Sequence, residues 1–142
     1  RDAALPACDA LWLPGGYPEL HADALAANTA LRDSLQAHVA AGRPVWAECG
    51  GMMALLESIT LADGRREHVD DPALGSEHTF HYSVTDSPAA VCARAQRPDH
   101  AGAPDDGEAV YRHGSIHASY FHAWFASSPQ ATAALLGAEA GP

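Results

Sequence analysis

Lysine is absent from these 142 residues: all eight basic side chains are arginines, set against eighteen acidic ones for a net charge of -10. That absence excludes a lysine Schiff base and a phosphate-loop lysine within the chain. An acidic chain with no basic cluster also argues against nucleic acid and anionic membranes as partners. No apolar run approaches the roughly 18 residues that a membrane span needs. No basic segment followed by an apolar one opens the chain as a secretion signal would. Cysteine is scarce, at three residues, Cys8, Cys49 and Cys92. The count is odd, the spacings are wide and no CxxC pair occurs, which argues against a structural zinc site and a disulfide framework. A reduced, cytoplasmic setting is therefore expected. There is no initiator methionine, and the opening RDAALPACDA reads as the middle of something longer. With 47% hydrophobic residues, a length of one domain and no internal repeat, the chain can bury a core.

The apolar pattern alternates short strands with helices. Residues 9–13 (DALWL) read as a buried strand that ends at Pro14-Gly15-Gly16, a strong turning signal. Residues 19–41 carry Leu20, Ala24, Leu25, Leu31, Leu35 and Val39 at helical spacings, with Asn28 a point of interruption between a shorter and a longer helix. Gly42 suits a helix stop and Pro44 follows it closely. Residues 44–47 (PVWA) read as a second short strand, then Glu48-Cys49-Gly50-Gly51, then a helix started by Met52, Met53, Leu55 and Leu56. The order predicts an α/β domain with a parallel sheet. Farther on, residues 63–75 read as a loop, 96–108 as a loop or hairpin tip, and residues 78–85 (HTFHYSVT) as β-like. Residues 110–120 read as a strand with a turn at Gly114, 121–125 as an aromatic run entering a last element, and 129–136 as an Ala-rich helix.

The cysteine turn carries the chemistry. Cys49 falls where a buried strand gives way to a helix, on a turn completed by Gly50 and Gly51. Such a turn holds a nucleophile out from the sheet edge, and the first amides of the following helix favour both a thiolate and a developing oxyanion. The glycines permit close backbone approach and strained angles. The same strand-turn-helix arrangement presents serine in the nucleophile elbow of other hydrolases. A buried structural cysteine is the bland alternative. Ligands of α/β sheets bind at the carboxyl ends of the strands, which puts the Pro14-Gly15-Gly16-Tyr17 loop at the same edge as Cys49, suited to offer backbone N–H groups to an oxyanion. A plain turn is the alternative there.

A thiol nucleophile needs a base. Three of the nine histidines, His113, His117 and His122, lie within HGSIHASYFHAWF. One of them could return to the cysteine turn from a later strand end. A surface or core histidine is the alternative for each. A metal site built from all three is a weaker reading, because the spacing matches no metal motif and no cysteine or acidic cluster joins it.

With these pieces in place, the chain resembles the C-terminal glutaminase domain of cobyrinate (or hydrogenobyrinate) a,c-diamide synthases. LPGGYPELHADALAAN resembles the oxyanion-loop segment of that family, GRPVWAECGGMM its nucleophile segment, HTFHYS a further block and ASYFHAWFASSP its catalytic-histidine block, in the same order over most of the chain. The resemblance implies an α/β, flavodoxin-like, triad-type glutamine amidotransferase domain. It implies that Cys49 attacks the side-chain amide carbon of glutamine and that His122 activates Cys49 and protonates the leaving ammonia. Backbone N–H groups of Gly15, Gly16 and Gly50 would hold the oxyanion. The implied partners are glutamine, an ATP-dependent synthase domain and a corrinoid substrate whose a and c carboxylates receive the ammonia. ATP and magnesium belong to that synthase domain, and no cofactor or metal is expected in this chain.

Many triad glutaminases carry Glu two residues after the histidine; here that position is Trp124, so no third triad member is visible. Glu48 and His81 are the candidates for a supporting role, with a structural place beneath the turn as the alternative for Glu48. Against relatives, the domain is expected to be partial over residues 1–142, truncated at its N-terminus and shortened near residues 66–74, with the synthase domain absent. Two other functions compete: a non-catalytic remnant or interaction module of the same fold, and a Cys-dependent α/β hydrolase acting on another amide or ester.

Overall fold

The computed structural model describes residues 4–60, 66–68, 77–78, 85–96 and 107–137. Its centre is a five-stranded sheet built from β1 (Leu11–Leu13), β2 (Val45–Glu48), β7 (Ala90–Ala95), β8 (Glu108–His113) and β9 (Ile116–Ser119), in the order β1-β2-β9-β8-β7. β1, β2 and β9 run parallel, whereas β8 and β7 are antiparallel additions. The sheet is therefore mixed, which corrects the expectation of a parallel one. The cause is local. β8 and β9 are joined through Gly114, whose φ of 57° supplies the left-handed step of a tight hairpin, so they must pair antiparallel.

Period-two alternation sorts the side chains of the parallel strands onto two faces. Leu11 and Leu13 pair with Val45 and Ala47, which pair with Ile116 and Ala118. This row joins Met52, Leu55 and Leu56 in the buried core, and Leu35 and Val39 pack against it. The opposite face carries Trp12, Trp46 and His117 in one cross-strand row, with Glu48 beside Ser119 in the next. Trp12 meets Phe125 edge to face, with ring centroids 5.3 Å apart.

The segment from 19 to 41 divides as its sequence suggests. A 3-10 turn (Pro18–Leu20) leads into α1 (Ala22–Ala26), and α2 (Thr29–Ala40) follows. Asn28 makes the break because it caps α2: its side chain accepts from Leu31 N at 3.1 Å. Gly42, at φ 71°, ends that helix just before β2. The helix after the cysteine is much shorter than its apolar run suggests: α3 (Gly50–Met53) is a single turn, succeeded by turns at Ala54 and Leu55. Met52, Met53, Leu55 and Leu56 are all buried, so this segment folds as a core plug rather than as an amphipathic helix.

Two small antiparallel pairs lie outside the main sheet. β3 (Ser58–Thr60) pairs with β4 (Arg66–His68), so the expected loop over 63–75 contains a strand. β5 (Glu77–His78) pairs with β6 (Thr85–Asp86), in keeping with the β-like reading there. A final helix, α4 (Pro129–Leu135), is capped by Ser128, whose hydroxyl accepts from Ala131 N at 3.3 Å. Among the described residues, no helix is long and apolar enough to cross a membrane.

Candidate active site

Cys49 leaves the end of β2 with φ 47° and ψ -113°, and it is the one non-glycine residue of positive φ among the described residues. Such a backbone costs an L-residue about 1–3 kcal/mol and persists only where its surroundings fix it. The surroundings do so here from both sides. The Cys49 N–H donates to the carbonyl of Ser119 at 2.8 Å, and its own carbonyl accepts from Met53 N at 3.0 Å. The thiol is thereby placed past the carboxyl end of the sheet, half-buried, and it is not in a disulfide.

The two glycines after it are demanded by the loop that follows β1. A Cβ on Gly50 would strike the carbonyl oxygen of Gly16 and stand 2.6 Å from its nitrogen. A Cβ on Gly51 would strike the carbonyl oxygen of Leu13 and stand 2.7 Å from that of Pro14. No side chain fits in that seam, so two consecutive glycines let the backbones of the two loops touch. The β1 loop and the cysteine turn are therefore one surface, because their parent strands are parallel neighbours.

His122 reaches this surface from the end of β9, which pairs with β2 as far as Glu48 and Ser119. Its imidazole lies over Gly15, where an added Cβ would come within 2.6 Å of Cε1. Its Nδ1 is 3.3 Å from Oε2 of Glu48, whose side chain is only 3% exposed while that of His122 is 61% exposed. The other oxygen of Glu48 accepts from Trp46 Nε1 at 2.6 Å and from the backbone N–H of Ala123 at 2.9 Å. The buried carboxylate is thus fully surrounded by donors, as a buried charge requires. No hydrogen bond joins the Cys49 thiol to His122 in this structure, although both lie at the same sheet edge. Catalytic pairs are often looser than hydrogen-bond distance before substrate arrives.

The structure therefore brings together Cys49, His122, Glu48, Gly15, Gly16 and Gly50. His81 lies outside the described residues. His113 and His117 go elsewhere, on β8 and β9. His117 lines a groove of about 570 Å³ with Val39, Pro44, Arg112 and Ser115, at the end of the sheet opposite Cys49. Burial pushes the pKa of His117 below its ordinary 6.5, and the Arg112 guanidinium lowers it further. Among the described residues, no group of three or more His, Cys, Asp and Glu is placed to hold a metal ion.

A thiol held on a strained turn, an imidazole beside a buried carboxylate, and glycine backbones at the same edge are a set of groups able to carry out acyl transfer through a thioester. Residues 1–75 match the model of the CobB/CobQ-like glutamine amidotransferase domain. The chain belongs to that family. The matched stretch contains the β1 loop, Glu48, Cys49 and both glycines of the turn. As a member of this glutamine amidotransferase family, the chain is similar to a hydrogenobyrinate a,c-diamide synthase of Pseudomonas aeruginosa, with 41% identity over 96% of the chain and 36% of that protein. It is similar also to a cobyrinate a,c-diamide synthase of Herminiimonas arsenicoxydans, with 34% identity over 98% of the chain and 36% of that protein. The similarity to a cobyrinate a,c-diamide synthase of Halobacterium salinarum is more local, 65% over 60 residues, 42% of this chain and 13% of that protein. The chain thus spans about a third of the length of the first two relatives.

Trp46 escaped the sequence reading of this amidotransferase site, and the link from Glu48 to His122 was left open by it. The signal was present in β2: residues two apart in a strand share a face, so an indole N–H at 46 sits beside a carboxylate at 48. Which histidine that carboxylate meets depends on the register of β9, which short-range pattern does not give.

Proposed function

We propose that this chain hydrolyses glutamine to glutamate and ammonia through a thioester on Cys49, and that the ammonia serves ATP-dependent amidation of the a and c carboxylates of cobyrinate or hydrogenobyrinate. The strained turn at Cys49 is the observation that carries the catalytic part: a cysteine with φ 47° at the end of a strand, followed by two glycines packed on the neighbouring loop. The family carries the choice of glutamine, and the names of the relatives suggest the corrinoid.

In this reading the domain is flavodoxin-like and of the triad type. The Cys49 thiolate attacks the side-chain amide carbon, and the thiol proton passes to Nε2 of His122. Backbone N–H groups of Gly50 and of the Gly15-Gly16 loop stabilise the oxyanion. Collapse of the tetrahedral intermediate breaks the C–N bond, and the imidazolium protonates the departing ammonia. Water, deprotonated by the same imidazole, then attacks the thioester carbon and releases glutamate. Thiol and imidazole must close to hydrogen-bond reach when glutamine binds.

The partner in this reading is a synthase domain that uses ATP and magnesium outside these residues. Tyr17, Phe121 and Trp124, exposed by 67%, 41% and 75%, lie on the same loops as the site and offer apolar surface to such a partner. The P. aeruginosa alignment runs over 159 positions against 142 residues here, in keeping with a stretch shortened relative to relatives, which we place near residues 66–74. Cys8, Cys49 and Cys92 are all free thiols, which suits a reducing, cytoplasmic setting.

The test is to treat the chain with an electrophilic glutamine analogue and locate the adduct by mass spectrometry, with Cys49→Ala, His122→Ala and excess glutamine as controls. A glutamine-protected adduct on Cys49 that slows in His122→Ala is expected. A folded chain that forms no such adduct refutes the reading and leaves a non-catalytic module of the same fold. An adduct that excess glutamine does not protect points to a cysteine hydrolase of another amide or ester.

A further inference from the structure

The base of this site lacks an orienting partner at the position where sequence would place one, since Trp124 stands two residues after His122 and is exposed. We propose that Glu48, the residue immediately before the nucleophile, is the positioning residue that fixes the ring and tautomer of His122. The proposal rests on the glutaminase reading and assigns a residue to its proton-transfer step.

Three observations converge on it. The His122 ring is largely solvent-exposed, and the contacts that hold it are the Gly15 backbone beneath and Oε2 of Glu48 at Nδ1. Glu48 itself cannot wander: it is buried at the end of β2, and its Oε1 is held by the Trp46 indole and the Ala123 amide. The Ala123 contact also pins the chain segment that carries His122, so the carboxylate sets both the backbone and the ring of the base. An ionised carboxylate accepts only, which places the imidazole proton on Nδ1 and leaves Nε2 as the lone-pair nitrogen. That is the tautomer able to take a proton from a thiol.

The substitution Glu48→Gln separates this role from packing. Its amide is isosteric with the carboxylate, but it has one acceptor and one donor end. Two N–H groups, from Trp46 and Ala123, already point at the Oε1 position, so the amide oxygen must go there. The amide NH₂ then faces His122 Nδ1, which must accept. The ring proton moves to Nε2, and the imidazole can no longer act as base toward Cys49. Trp46→Phe removes a structural hydrogen bond to Oε1 and leaves Oε2 facing His122, so it reports what loss of local packing alone does.

Labelling of Cys49 by the electrophilic glutamine analogue is measured as a rate, together with half-protection by glutamine, in the unsubstituted chain, Glu48→Gln and Trp46→Phe. Circular dichroism checks that each is folded, and ¹⁵N NMR of the His122 ring reads its tautomer. We expect Glu48→Gln to slow labelling roughly 10²-fold or more, the scale on which a misoriented base fails. Half-protection should stay within about threefold, because both oxygens of the buried Glu48 are already taken up by Trp46, Ala123 and His122. The ring should switch from Nδ1–H to Nε2–H, and Trp46→Phe should slow labelling by less than about tenfold with the tautomer unchanged. The proposal is overturned if Glu48→Gln labels within about threefold of the unsubstituted chain, or if Trp46→Phe slows it equally with no change of tautomer in Glu48→Gln. In either case the glutaminase reading stands. If the unsubstituted chain itself gives no glutamine-protected adduct, that reading fails and the role of Glu48 in it falls too.

Discussion

Replacing Cys49 by glycine should yield a more stable protein than replacing it by alanine. Both variants lose the thiol, so their difference isolates the backbone. The turn holds residue 49 at φ 47° and ψ -113°, fixed by hydrogen bonds to Ser119 O and from Met53 N. An L-residue there costs about 1–3 kcal/mol, a cost alanine keeps and glycine avoids. Against that gain, glycine loses about 0.4–1 kcal/mol through the greater freedom of its unfolded chain. The net advantage of glycine is therefore about 0–2.6 kcal/mol, with about 1.3 kcal/mol the central figure. For a chain of this size, 1 kcal/mol corresponds to a rise in Tm of about 2–4 °C. Urea unfolding followed by circular dichroism at neutral pH, with the two m-values compared, measures the difference directly. The ordinary expectation for glycine against alanine in a well-ordered segment has the opposite sign. An advantage for alanine would refute the claim that the turn strains residue 49.

The substitution Gly50→Ala should cost roughly 2–4 kcal/mol and abolish labelling of Cys49, because its Cβ meets the Gly16 backbone, which cannot swing aside as a side chain can; chemical denaturation and the labelling assay read the two effects. Gly15→Ala should behave differently: the atoms nearest its Cβ all belong to the exposed His122 ring, so stability should change by less than about 0.5 kcal/mol while labelling slows at least about tenfold. Stability should also fall as pH drops below about 6.5 in part through His117, whose folded pKa is depressed by burial and by Arg112. The unfolded chain then binds the proton first, so this contribution is present above 6.5 and is lost as pH falls through the lower folded value. His117→Gln should flatten that part of the curve, which urea midpoints measured across pH 5 to 8 will show as a smaller slope.

Local chemistry in the sequence determined much of this fold, and the misses share one cause. Asn28, Gly42 and the PGG and CGG turns each act within a few residues, so the breaks between strand, helix and loop follow from them directly. Cys49 was legible because its setting, an apolar strand before it and two glycines after, is itself local. The antiparallel step from β8 to β9 follows from the local turn at Gly114, but β7 was not legible, since it has an exposed Ala- and Arg-containing pattern with no clear alternation and owes its place to pairing with β8. The extra strand at 66–68 lies in a polar stretch where pairing with β3, rather than propensity, makes the element. The brevity of α3 has the same origin: four apolar residues suggest a helix, but the contact with the β1 loop and the core decides its length. Long-range register likewise brings Glu48 to His122 across 74 positions of sequence.

The geometry also bears on whether this chain is a working site or an inert relative of one. A structural cysteine has no need of a left-handed backbone, and a structural carboxylate has no need of an exposed imidazole as its third donor. The first costs about 1–3 kcal/mol in a domain whose whole margin is typically about 5–15. Glycine at 49 would relieve it by one substitution. Instead Cys49 keeps it, and the carboxylate that meets His122 belongs to the residue just before it, at the end of β2. This placement supports the proposed catalytic reading, in which the thiol acts as nucleophile and the carboxylate beside the imidazole positions its base. The resting gap between Cys49 and His122 then has a specific meaning. In the proposed mechanism the carboxylate holds the ring, so the thiol side of the pair is what closes on substrate binding, and occupation by glutamine should bring Cys49 and Nε2 together without moving Glu48.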